Sequence, residues 1–328
     1  MIKLSTLVAA AFSAALGSIA VAQAADSNFP QSGRSFDMIV PFGAGGPTDV
    51  AARLLVPALE KDLGAPVTVI NRPGASTQIG VTALARAKPD GYTFGFVSLP
   101  QLITVYDDPQ RQAAFGRDDL QPLAMHVVDP IVVAVRADSP YKTLADLLAD
   151  AKARPGKVKG GTGGFMGTPY LAYLEMERLA DVKFALINFE GSAPGNTALL
   201  GGHIDLLMDT VAGTFTKARA GTIRVLGVAD KEQSPYLPGV KTLKEQGLDM
   251  EFAASRGLVA PAGTPAPAVT RLSQALENAI NSDDHRKRMA DLGQTLRYLG
   301  PQEFAAYWQA AETQVKPLME SARKSVTQ

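Results

Sequence analysis

The chain reads as an α/β protein, with mainly parallel sheets flanked by helices and arranged as two similar units. Three observations carry that reading. Short apolar β-type runs alternate with helical patterns over most of the length, as strand–helix–strand units do. Two strand-to-helix turns are glycine-rich, one near residue 43 and one near residue 163. They fall in separate stretches of the alternation, about 120 residues apart by sequence number.

The elements follow in order. Residues 37–40 are a buried strand, ending in Ile39-Val40-Pro41-Phe42. Residues 48–63 form an amphipathic helix, with Val50, Leu54, Leu55, Ala58 and Leu59 on one face and Gly64 as its stop. A strand at 67–70, a helix at 78–87 and a strand at 93–97 come next. Residues 131–135 are an apolar β run, followed by Ser139-Pro140 and a helix at 143–154. Val158 starts a strand that runs into the second glycine-rich turn, and a helix follows at 170–179. Further strands are expected at 184–189, 205–208, 223–229 and 258–260. Helices are expected at 193–200 and 242–246, and two more, 266–282 and 301–325, close the chain.

Composition narrows the class. Lys3 is the only charge before Asp26, residues 7–21 are mostly apolar, and Ala22-Gln23-Ala24 is a small-x-small cleavage site. Residues 1–24 therefore read as a secretory signal peptide, too short in its apolar run for a membrane anchor. The chain has no Cys, which excludes lipoprotein anchoring, disulfides and thiolate metal sites. Of 32 basic residues only Lys3 leaves with the leader, so 31 face 32 acidic ones. That balance offers no attraction for nucleic acid or an anionic membrane. The 3 His are scattered, at positions 126, 203 and 285, and form no metal-binding pattern. An exported protein with a bacterial periplasmic location fits best.

The glycine-rich turns carry the chemistry. Gly43-Ala44-Gly45-Gly46-Pro47-Thr48-Asp49 joins a strand to a helix. Such a turn presents backbone N–H groups and the positive end of a helix dipole, a seat for an anion. Gly160-Gly161-Thr162-Gly163-Gly164-Phe165-Met166-Gly167-Thr168 repeats the design. One such turn alone is as well explained by tight turning. Two of them, beyond the carboxyl ends of strands, can grip a ligand from both sides.

The ordered set of segments resembles the Bug family, periplasmic solute-binding proteins of tripartite tricarboxylate transporters. The matching pieces begin with residues 41–49, Val67-Thr68-Val69-Ile70-Asn71-Arg72-Pro73-Gly74 and Pro89-Asp90-Gly91-Tyr92-Thr93-Phe94. They continue with residues 160–168, 191–194, 201–205, 220–224, 237–240 and 260–265, so the match covers essentially the whole mature chain. The resemblance implies a two-lobed periplasmic-binding-protein fold of type II that closes on a small carboxylate. It implies one lobe from 25–129 plus 231–328 and another from 130–230, with crossings near 130 and 230. It also implies a monomer, partnered by the membrane subunits of a tripartite tricarboxylate transporter, with no cofactor.

The same resemblance sets the candidate ligand contacts. Phe42, Ala44, Gly45, Gly46, Thr48 and Asp49 belong to the first turn. Thr48 offers a hydroxyl to the ligand or caps the helix. Asp49 reads as structural, because its carboxylate repels an anion; the alternatives are that it orients loop amides or waters, or pairs with an ammonium on the ligand. Ser98 follows a strand and either reaches the cleft or makes a plain turn. Gly163, Met166 and Thr168 come from the second turn, and Glu190 and Ala193 from the turn around Gly191. Asp209 stands at a strand end, where it can accept from ligand hydroxyls or tie its loop. Arg256 is the unusual one: relatives usually carry an aromatic residue there. Tyr170 and Glu190 also depart from the family's usual His and Lys or Arg. A guanidinium can hold a carboxylate through two hydrogen bonds, so Arg256 either takes a second carboxylate or is a surface arginine.

No G-x-S-x-G, H-E-x-x-H or Walker A pattern occurs, and no His lies in either glycine turn. The reading is therefore a binding protein and not an enzyme, with no catalytic or metal residues. A role as the ligand-binding part of a signalling pathway remains an alternative, and an exported hydrolase a weaker one.

Overall fold

The computed structural model describes residues 29–189 and 192–326. The expectations for the leader, residues 1–24, and for Glu190 lie outside them. In chain order the elements are β1 (Phe36–Val40), α1 (Pro47–Leu63), β2 (Val67–Asn71), α2 (Gln78–Ala85), β3 (Thr93–Leu99), α3 (Gln101–Tyr106) and β4 (Leu120–Arg136). Then come α4 (Leu144–Ala153), β5 (Lys159–Thr162), α5 (Thr168–Ala180), β6 (Ala185–Asn188), α6 (Ser192–Leu200), β7 (Leu206–Thr210), α7 (Val211–Arg219) and β8 (Ile223–Val228). The chain closes with β9 (Ala253–Pro261), α8 (Ala266–Ile280), α9 (Asp283–Asp291), β10 (Leu296–Leu299) and α10 (Pro301–Val326).

The expected α/β fold with flanking helices is present, and β4 organises it. This strand runs for 17 residues, far beyond the expected 131–135. Its first part pairs antiparallel with β9 and β10, and its second part with β7 and β8. On the first side the strand order runs β2-β1-β3-β9-β4, and on the second β4-β7-β5-β6. The parallel pairings are β1 with β2 and β3, and β5 with β6 and β7. The antiparallel ones all involve β4 or β9, so the sheet is mixed. Pro122, His126, Asp129 and Pro130 interrupt the apolar pattern of β4, which hides its length from periodicity.

Helix packing follows from the side chains. In α1 the buried stripe is Ala51, Ala52, Leu55, Leu59 and Leu63. Of the expected face, Leu55 and Leu59 are buried, while Val50, Leu54 and Ala58 are only half-buried. The stripe is turned because α8 flanks the helix as well as the sheet. Gly64, in the left-handed region at φ 66°, ends the helix and returns its N–H to the carbonyl of Glu60. Phe36, Met38, Val40, Phe94, Phe96, Leu258, Leu272 and Leu276 fill the core between sheet, α1 and α8. Burying one such side chain contributes roughly 1.5–3 kcal/mol. A second core runs through β4, α5 and α10, where Phe304 and Trp308 are buried with Tyr173 and Met176. Thus α10 packs against elements on both sides of β4. No described helix is long and apolar enough to cross a membrane.

Candidate functional site

The turn between β1 and α1 is shaped for close approach. Gly45 adopts φ +78°, a conformation that costs a residue with Cβ. Gly46 is the helix cap, in extended conformation, and provides no side-chain cap bond. Pro47 begins the helix, where its missing N–H costs nothing. Helix geometry leaves the first-turn amides of Thr48 and Asp49 without intrahelical partners, at the positive end of the dipole.

Asp49 fastens this turn from behind. Its carboxylate accepts from the Gly45 N–H at 2.8 Å, from Arg53 Nε at 3.0 Å and from Asn71 Nδ2 at 2.9 Å. Asn71 also donates to the Phe42 carbonyl at 3.1 Å. Burial works to raise the Asp49 carboxyl, and the bonds from Arg53, Gly45 and Asn71 outweigh it, holding it below the ordinary carboxylate range. Asp49 thus holds a loop amide of the turn and does not itself line the cavity in front of it. The Gly45 amide is spent on Asp49.

A cavity of about 640 Å³ opens in front of the turn. Phe42, Ala44, Gly46 and Thr48 form one wall. Asp209, Thr210, Ala212 and Gly213, at the passage from β7 into α7, form the facing wall. Ser98 of β3, Asp129 of β4, Ala254 and Arg256 of β9, and Gln294 complete the lining. The structure therefore brings together seven of the expected residues: Phe42, Ala44, Gly46, Thr48, Ser98, Asp209 and Arg256. The resulting wall of donors and acceptors comes from both sides of β4.

Other expected residues stand elsewhere. Gly163, Met166, Thr168 and Ala193 do not line this cavity. The second glycine turn does start a helix, with Gly167 as cap and no side-chain bond to it. Met166 and Thr168 are buried, Met166 at φ +58°, and Ala193 is exposed at the start of α6. The facing wall comes from the start of α7, which the sequence did not reveal as a helix. Val211-Ala212-Gly213-Thr214-Phe215-Thr216 is rich in β-branched residues and glycine, which weakens any helical signal.

The charged lining is internally tied. Asp209 accepts from Asn196 Nδ2 at 3.1 Å and from the Thr210 N–H at 2.8 Å. Asp129 accepts from the Ala212 N–H at 3.3 Å, in the first turn of α7. Burial pushes the Asp129 carboxyl up to about 7, against the opposing pull of Arg256 and its hydrogen bonds, and Asp209 adds to the rise. Arg256 donates to Gln294 Oε1, while its enclosed Nε has no partner among the described residues. Burial lowers the guanidinium's pKa and the charge of Asp129 opposes this. Asp129, Thr210 and Gln294 were missed in the sequence. The available signal was a carboxylate in Val127-Val128-Asp129-Pro130-Ile131, since a charge inside an apolar run needs a partner. No group of acidic or His residues among the described ones could hold a metal.

With this geometry in view, the chain's relatives can be stated. Residues 51–323 match the model of the tripartite tricarboxylate transporter family receptor, TctC. The chain belongs to that family of solute-binding receptors. It is 34% identical over 310 residues to the "UPF0065 protein in gbd 5'region" of Cupriavidus necator, covering 93% of this chain and 91% of that one. It is 31% identical over 252 residues to BugT of Bordetella pertussis, covering 76% and 77%. Among solved structures, a TctC solute-binding protein from Polaromonas superimposes with TM-score 0.80 at 30% identity, covering 90% of this chain and 100% of that one. A Rhodopseudomonas palustris protein with adipate gives 0.76 at 26%, covering 90% and 98%. MatC of the same organism, with bound malate, gives 0.70 at 28%, covering 89% and 100%. The fold is therefore the two-lobed one of periplasmic binding proteins.

Proposed function

We propose that this chain is a periplasmic receptor that captures a small carboxylate, a dicarboxylate by preference, for uptake by a tripartite tricarboxylate transporter. The observation that carries the reading is the cavity between the start of α1, which has no side-chain cap, and the start of α7, with Arg256 in its lining. One ligand carboxylate docks on the α1 amides and the Thr48 hydroxyl. The second reaches Arg256, which distinguishes an aliphatic or aromatic dicarboxylate from a monocarboxylate. Adipate and malate in structural neighbours support the chemical class.

Capture works by closure of two lobes, residues 25–129 with 231–328 and residues 130–230, about crossings near 130 and 230. Gly163, Met166, Thr168 and Ala193 are then residues that approach the ligand on closure. A ligand touching both lobes shifts the population towards the closed form. The protein acts as a monomer that hands its ligand to membrane subunits. A thermal-shift screen of the purified protein against mono-, di- and tricarboxylates tests this. A rise of several degrees with dicarboxylates is expected. No rise with any carboxylate would reject the ligand class.

A further inference from the structure

We propose that Asp129 is a specificity-determining residue: it makes the far end of the cavity accept an O–H group, either a hydroxyl or the protonated form of a second carboxyl. The idea rests on the carboxylate-binding reading above and adds the protonation state of the ligand's far end.

Asp129 and Arg256 both line the cavity, from the neighbouring strands β4 and β9. Among the described residues Arg256 makes no ion pair, its Nη2 is taken by Gln294, and its enclosed Nε is unpartnered. Asp129 is 3% exposed and accepts from the Ala212 N–H of α7 and from the Thr210 hydroxyl. The Asp129 carboxylate and the Arg256 guanidinium thus line the same cavity without forming an ion pair with each other. A group that fits between them must donate to one and accept from the other. An O–H does both: its hydrogen goes to Asp129 and its oxygen accepts from the Arg256 guanidinium. An ionised carboxylate satisfies Arg256 and repels Asp129. A methyl group leaves both unpaired, which is costly in a desolvated site.

The charges facing Asp129 reinforce this. Arg256 of β9 stands on one side, Asp209 of β7 on another, and the Tyr236 hydroxyl lies near enough to feel its charge. His126 of β4 sits beside Arg256 and is held neutral by burial. Arg256 and Asp209 are thus the charged groups that act on Asp129, with opposite signs. A second ligand carboxylate entering there as an anion would add a negative charge beside Asp129. Taking up one proton, shared between it and Asp129, restores the balance. The raised Asp129 carboxyl, about 7, makes that proton available near neutrality.

The test uses calorimetric titration of the purified protein with three ligands of one chain length: a dicarboxylate, the ω-hydroxy acid and the plain monocarboxylate. Lengths from four to eight carbons are covered, in two buffers of different ionisation enthalpy, at pH 6 and pH 8.5. At pH 8.5 the dicarboxylate is expected to bind with uptake of about one proton, its affinity falling about tenfold per pH unit above 7. The hydroxy acid is expected to bind more tightly than the monocarboxylate, with no proton uptake. In Asp129→Asn, uptake disappears and dicarboxylate binding at pH 8.5 improves about tenfold relative to the hydroxy acid. The wild-type uptake measurement stands even where that variant folds poorly. Dicarboxylate binding without proton uptake, and with the same ligand ratios in the variant, would overturn the role of Asp129 and leave carboxylate capture intact. Absence of binding by every carboxylate would overturn both.

Discussion

Arg256 and Asp49 show how one residue can be read from opposite sides. In sequence both were ambiguous charges. In the structure Asp49 turns away from the cavity and ties Gly45, Arg53 and Asn71, whereas Arg256 lines it. Arg256→Ala is expected to weaken a dicarboxylate by about 10–100-fold, the worth of a hydrogen bond to a charged group. The matching monocarboxylate should lose much less, and comparative titration reads the difference. Equal losses would place the second carboxylate elsewhere. Asp49→Ala leaves three donors without their acceptor. It is expected to cost about 2 kcal/mol of stability and to lose carboxylate binding together with the turn's shape, as denaturant unfolding and titration would show.

At the scale of elements, buried polar groups join pieces that apolar packing alone would leave ambiguous. His126 of β4 and His285 of α9 face each other, Nε2 to Nε2, at 2.8 Å, and both are buried. Burial lowers both imidazoles, His126 well below its usual value and His285 to about 4. A depressed folded pKa means the native state binds fewer protons than the unfolded one below about 6.5. This pair therefore stabilises above 6.5 and loses that contribution as pH falls towards 4. Asp129 has the opposite sign: its raised folded pKa favours the native state as pH falls from about 7 towards the ordinary carboxylate range. A His126→Gln, His285→Gln variant should thus lose less stability than the parent between pH 6.5 and 4. Parallel thermal midpoints for the two proteins across that window would remove the pair from the acid response. The elements also show where sequence reading stops. Strands β1, β2 and β3 and helix α1 were legible because their apolar periodicity and glycine stops are local. Strand β4 was seen only as 131–135 because His126, Asp129 and two prolines break its pattern. Helix α7 was not seen, and it supplies the facing wall of the site.

For the whole molecule, the family and the two-sided architecture were legible in the ordered glycine and proline segments. Which loops face each other was not, because that depends on the long antiparallel pairing of β4 with β9 and β7. Small-angle scattering should record a smaller radius of gyration when a bound dicarboxylate favours closure. An unchanged radius at saturation would argue for capture without lobe movement. The central claim is that the start of α1 seats the ligand's first carboxylate. Gly46 has an ordinary helix-cap φ of −75°, and a Cβ there would meet only the Gly43 carbonyl oxygen, at 3.4 Å. Gly46→Val is therefore expected to keep its thermal midpoint within a few degrees while its side chain fills the seat. Side-by-side calorimetric titration of the parent and Gly46→Val with the dicarboxylate that stabilises the parent most is the direct measurement. The account requires saturable heat from the parent and none from a folded Gly46→Val. Equal affinity in the two proteins would contradict it.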